Sequence, residues 1–183
     1  WIFKQNPDIQ NNFNDHNYRG HYKHRFVSYS NVSNIQWLFK CCCKYGHIQI
    51  AQWLLSVKPD INISAENDTA FRYACKSGHL HVAQWLLSIK SNINISAGNE
   101  AAFRGTCMDG HLEVAQWLLY VKPDINISAE NEEAFRRACS NGHIPVAQWL
   151  YQIKPTIVIS TENEFAFRWA CLKGHLSVAQ WLY

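Results

Sequence analysis

Between Leu112 and Tyr120 the apolar residues Leu112, Val114, Ala115, Trp117, Leu118 and Leu119 are interrupted by Glu113 and Gln116. At about 100° per residue the six apolar side chains spread over an arc of roughly 220°, and Glu113, Gln116 and Tyr120 fill the remaining wedge. The pattern predicts a helix. Its apolar arc is too wide to be covered by one partner and suits a helix pressed by a neighbour on each side. The pattern also returns: GHIQIAQWLL from Gly46, GHLHVAQWLL from Gly78, GHLEVAQWLL from Gly110, GHIPVAQWLY from Gly142 and GHLSVAQWLY from Gly174, each copy 32 residues after the last. Every copy holds one tryptophan, at 53, 85, 117, 149 and 181. It sits at the edge of the apolar arc, where a broad ring can bridge to the adjacent copy.

Upstream of each GH pair lies a second helical pattern. In one copy Asn131 precedes Glu132, Glu133, Ala134 and Phe135, an asparagine cap followed by acids in the first turn. That helix is expected to end at Gly142, a residue that tolerates the left-handed position past a C-terminus. The Trp-bearing helix must stop near Lys122-Pro123, because the residue before a proline is pushed to extended geometry. A loop from Asp124 to Glu130 returns the chain to the next unit. The units are therefore 32–63, 64–95, 96–127, 128–159 and a partial 160–183. Residues 1–10, matching WLLSVKPDI from Trp53, are the expected tail of a preceding truncated unit, and 11–31 form an irregular insert.

The sequence resembles an ankyrin-repeat protein. Ala138-Cys139-Ser-Asn-Gly142-His143-Ile-Pro-Val-Ala stands where that family has its "AA..GH..VV" core, and Asp124-Ile125-Asn126 stands at its "ADVN". The wording is similar to the arrays abundant in giant DNA viruses. The resemblance implies an all-α, ankyrin-type α-solenoid of stacked helix-turn-helix units with short loops between them. It also implies noncovalent binding of another protein on the concave face and the finger tips. The family's "TPLH" reads Thr69-Ala70-Phe71-Arg72 here. The interval is one residue short of the family's usual length, and its Asp-Gly turn is missing. Short, poorly paired fingers are expected.

Composition narrows the field. Net charge is +3 over 183 residues, so electrostatics alone supply no strong pull toward nucleic acid, and no apolar run approaches the ~20 residues of a membrane span. Five of seven cysteines (Cys43, Cys75, Cys107, Cys139, Cys171) follow the repeat, with Cys41 and Cys42 as extras. Equivalent residues on packed helices lie about 8–10 Å apart, too far for a disulfide. Free thiols and an intracellular, reducing compartment are expected, the host cytoplasm if the source is viral. The partner expected is another protein bound by a monomer, with no membrane, no cofactor and no metal; nucleic acid or another acidic polymer, bound through the repeated Arg and Lys columns and the basic insert, is the weaker alternative, and a targeting adaptor for a module outside these residues is another.

Comparing copies separates scaffold from variable surface. The upstream helix repeats Ala, Phe, Arg, Ala and Cys almost unchanged, whereas four positions vary: Thr69/Ala101/Glu133/Phe165, Tyr73/Gly105/Arg137/Trp169, Lys76/Met108/Ser140/Leu172 and Ser77/Asp109/Asn141/Lys173. Spaced i, i+4, i+7, i+8, they occupy one arc of about 100°. This is the candidate partner-binding face, and Tyr73, Arg137, Phe165 and Trp169 are the residue types that anchor interfaces. The repeated Arg72, Arg104, Arg136 and Arg168 flank it. They could bind an extended acidic segment, but hydrogen bonds to loop carbonyls or a nearby acid are the favoured use. Lys58, Lys90, Lys122 and Lys154 stand at helix C-termini, where cations are stabilising.

The Cys-x-x-x-His pairs supply two zinc ligands per unit, and adjacent pairs are too far apart to complete a set of four. The repeated His47, His79, His111, His143 and His175 are expected to satisfy turn groups. In the insert, His16, His21 and His24 could bind metal, and Arg19, Lys23, His24 and Arg25 could touch phosphate; a surface loop is the default. There is no phosphate-cradling glycine loop, nucleophile elbow or singled-out carboxylate pair, so no enzyme is expected.

Overall fold

The computed structural model describes residues 32–183; the tail 1–10 and the insert 11–31, with their candidate His and basic residues, lie outside them. Among the described residues the architecture is all-α, ten helices in five antiparallel pairs: α1 (Val32–Lys44) with α2 (Ile48–Val57), α3 (Ala65–Lys76) with α4 (Leu80–Ile89), α5 (Ala97–Met108) with α6 (Leu112–Val121), α7 (Ala129–Ser140) with α8 (Ile144–Ile153), and α9 (Thr161–Leu172) with α10 (Leu176–Leu182). The pairs coincide with the 32-residue units.

Within a pair the turn is closed by glycine. Gly142 has φ 82°, its N–H reaches the Cys139 carbonyl at 3.1 Å, and the His143 N–H reaches Ala138 at 2.9 Å. These two bonds satisfy the last carbonyls of α7 in a Schellman motif. The second helix stops at lysine: Lys122 is extended (φ −140°) and its N–H makes the last helical bond, to Leu118. The connecting loops carry no strand among the described residues.

The start of each first helix differs from expectation. Asn131 is not a cap. Glu130, Asn131 and Glu132 all have positive φ, as do Glu66, Asn67 and Asp68, and no capping bond comes from the flanking Ser128 or Ser64. Three successive left-handed residues make a tight turn before the right-handed helix begins at Thr69 or Glu133. Such residues cost about 1–2 kcal/mol each, so something must hold them. The repeated arginine does: Arg136 donates from Nε to the Asn131 carbonyl (2.6 Å) and from Nη2 to Glu130 (3.1 Å). Arg72 and Arg104 repeat the clamp on Asn67 and Glu66, and on Asn99 and Gly98. The arginines therefore use these donors on carbonyls.

Stacking rests on three contacts written once per unit. From the second unit on, each tryptophan ring packs on the phenylalanine of the preceding unit: Trp85 on Phe39, Trp117 on Phe71, Trp149 on Phe103 (all 6.3 Å between centroids) and Trp181 on Phe135 (6.1 Å). The phenylalanines are fully buried, while the indoles are half-buried at the edge of the core, as the wheel places them. Each histidine ring lies on the glycine of the preceding unit, so close that a Cβ on Gly110 would stand 2.5 Å from His143 Nδ1. Finally, a side chain at the turn reaches the next loop: Asp68 Oδ2 accepts from Asn94 N (3.1 Å), Glu100 Oε1 from Asn126 N (3.4 Å), and Gln36 takes the same place against Asn62. First helices pack directly on one another along the array, whereas second helices hold mainly to their own first helix. α1, α3, α5, α7 and α9 thus form one continuous row.

Candidate interaction face

The varied positions do fall on one side of the first-helix row, with unequal exposure. Tyr73, Arg137, Trp169, Leu172 and Lys173 are exposed; Lys76, Ser77, Gly105, Met108, Asp109, Glu133, Asn141 and Phe165 are partly so. Thr69 and Ser140 are buried and add no surface. Thr69 Oγ1 is spent on the left-handed turn, donating to the Glu66 carbonyl (2.5 Å) and accepting from Arg72 (2.7 Å). Ser140 is short enough for its hydroxyl to fold back on the Arg137 carbonyl (3.1 Å), where other units carry Lys76, Met108 or Leu172. The residues missed are Trp37 and Tyr45. Trp37 is 48% exposed, and each stands 32 residues before a named position, so the repeat itself held the signal.

Aromatic rings and cations meet at both ends of the face. Lys44 Nζ lies 5.0 Å from the Tyr45 ring centre and 6.0 Å from that of Tyr73. At the other end Arg136 and Arg137 stand over Phe165 (5.0 and 5.3 Å) and Lys173 over Trp169 (5.6 Å). Such pairs hold the rings in place while leaving part of them open. The centre is shallow. Gly105 has no side chain, and the Lys76 stem lies across it, with Cγ 3.2 Å from where a Cβ would be. Glu133 is bracketed by Arg104, in a close ion pair, and by Arg137 at 3.5 Å. Asn141 ties units together, donating to the Met108 carbonyl and accepting from Lys173 Nζ, both at 2.8 Å.

The two rims of the face differ in charge, acids standing beside the clamping arginines on one and lysines with Asp109 on the other. The left-handed turns form the acidic rim, where Glu66 accepts from Lys40, Glu130 from Asn99 (2.5 Å each) and Glu162 from Asn131 (3.0 Å). Here Asn131, expected as a cap, instead links neighbouring units, as Asn99 does. Lys44, Lys76 and Lys173 lie along the opposite rim, at the C-terminal ends of their helices, where the backbone dipole favours cations.

The remaining candidate chemistry belongs to the scaffold. Cys43, Cys75, Cys107 and Cys139 are buried free thiols, and burial pushes all four up, Cys139 to about 12. Cys107 faces the core while the His111 ring lies against Gly78 of the preceding unit, so the two do not converge. No group of His, Cys, Asp and Glu among the described residues is arranged to hold a metal. No helix among them is long and apolar enough to cross a membrane.

Comparison with known proteins agrees with this architecture. The family described as ankyrin repeats (many copies) matches residues 39–87 and 106–150. Among curated proteins none matches. Among solved structures, an ankyrin repeat family protein from Legionella pneumophila is 34% identical with a TM-score of 0.62, over 72% of this chain and 40% of that one. The chain thus spans less than half the length of that relative.

Proposed function

This chain belongs to the ankyrin-repeat family, a family of binding modules, and from that premise we propose that it binds a partner protein noncovalently through the varied face of its first-helix row. The observation that carries the reading is the contrast within one helix. Phe71 and Cys75 are sealed in the core and recur in all five units, while Tyr73, between them, is 41% exposed and changes in every copy. Exposed rings at Trp37, Tyr73 and Trp169 on one side of the array are the type of surface that hot spots are made from. Free, buried thiols suit a reducing compartment as the place of action.

The test is affinity capture with mass spectrometry on the wild type and on Tyr73→Ala/Trp169→Ala. Neither ring takes part in the Phe–Trp contacts between units, so helicity and melting should hold while retention of specific partners falls about tenfold or more. Equal capture by both proteins removes the assignment of this face.

A further inference from the structure

We infer that the face takes an acidic peptide with an apolar anchor near each end, its carboxylates turned toward the lysine rim. This rests on the reading of the face as a partner-binding surface and adds the chemistry of the partner.

Three observations lead there. The exposed rings are split: Tyr73 lies near one end, Trp169 near the other, and between them Gly105 carries no side chain and is crossed by the Lys76 stem. Three unit-to-unit steps of about 8–10 Å separate the two rings, a span of about 24–30 Å that eight or nine extended residues cover at ~3.3 Å each. Charge then selects the segment between the anchors. The central acid, Glu133, is already engaged by Arg104 and Arg137. Lys76 and Lys173, in contrast, have no carboxylate partner among the described residues: the Lys76 stem rests on Gly105, and the Lys173 ammonium meets only the neutral Asn141 amide and the Trp169 ring. Two ammonium groups on one rim, beside partly open rings, favour carboxylates placed opposite them.

Rings and cations together also suit single-stranded nucleic acid, but the acids decide against it. A nucleic acid carries a phosphate at every step and would have to set one against Asp109, between Lys76 and Lys173 on the lysine rim, and others against Glu66, Glu130 and Glu162, whereas a peptide can place a neutral residue at Asp109. A peptide can keep its acids on one side.

The test uses labelled nine-residue peptides with leucine at both ends and either three glutamates or three glutamines between, beside a nine-nucleotide oligothymidylate, followed by fluorescence anisotropy. The glutamate peptide should bind at least about tenfold tighter than the glutamine peptide, and added salt should shrink the difference. Lys76→Gln/Lys173→Gln should remove most of that preference, bringing the two peptides' affinities together, and leave helicity unchanged, because glutamine keeps the Cβ, Cγ and Cδ atoms that pack on Gly105 at position 76. Equal affinity for the two peptides, no binding of either, or tighter binding of the oligothymidylate overturns the inference. If protein capture still depends on Tyr73 and Trp169 in that case, the face remains a partner surface and only its acidic specificity falls.

Discussion

The inner units and the last one are written almost alike, yet their flanks differ. Cys43, Cys75, Cys107 and Cys139 are buried; Cys171, the same position in the last unit, is exposed. Gly46, Gly78, Gly110 and Gly142 each lie under a histidine ring of the following unit, while Gly174 has nothing within 4 Å of its Cβ position. Leu176 is 68% exposed where Leu80 and Leu112 are half-covered. Same residues, different burial: the difference shows that a unit does not seal its own core. The Trp, the His and the loop N–H that close one unit belong to the next, so stability here is a property of neighbouring pairs as much as of single repeats.

Paired substitutions sharpen that contrast. The largest effect is expected at the phenylalanine column. Phe103→Ala removes a fully buried ring and the platform of Trp149, and should cost ~3–5 kcal/mol in urea unfolding. Phe167→Ala, where the ring is half-exposed against Tyr183, should cost about half as much or less. Equal losses would mean that the following unit adds nothing to the burial.

A smaller difference is expected at glycine. Both Gly110 and Gly174 have positive φ, 85° and 75°, so alanine at either meets backbone strain of ~1–2 kcal/mol. Only at Gly110 must the His143 ring also move, adding about 1–3 kcal/mol of overpacking. Melting curves of the two variants test this; a Gly174→Ala protein as unstable as Gly110→Ala would break the comparison.

The smallest effect comes from protons. His79 and His143 are held below the ordinary 6.5, first by desolvation in the stack. Around His79 stand His81, His111 and His47, with the Lys44 backbone as an opposing hydrogen bond; around His143 stand Asp109, which opposes the shift, His111, the Met108 backbone and His175. The unfolded chain therefore binds protons more readily than the folded one. Stability should be full above pH 6.5 and decline as pH falls below it toward the lowered folded values. Substituting His79 and His143 with asparagine should flatten this slope between pH 7 and 5 in a series of urea melts, and an unchanged slope assigns the proton uptake elsewhere.

Much of this was legible beforehand. The 32-residue period, the wide arc of Leu112–Leu119, the glycine turn at Gly142 and the lysine stop before Pro123 are local facts, and local geometry follows from them. The edge position of Trp117 pointed correctly to a neighbour. The Asn131 cap did not survive, because asparagine before two acids satisfies two different turns equally well. What selected the left-handed turn is Arg136, five residues on, together with Glu162 of the following unit, and neither contact lies within the window a cap is read from. Thr69 and Ser140 misled for a similar reason: variation between copies marks freedom from the repeat and does not measure exposure.

Periodicity, the glycine and lysine helix ends and the face free to vary are set by spacing along the chain, since a helix converts residue number directly into direction. Which loop N–H groups Asp68 and Glu100 hold, which ring covers Gly110, and which asparagines reach Glu130 and Glu162 depend on distances between units. Those distances arise when the stack forms, because each contact joins residues about one full repeat apart that have no local reason to meet.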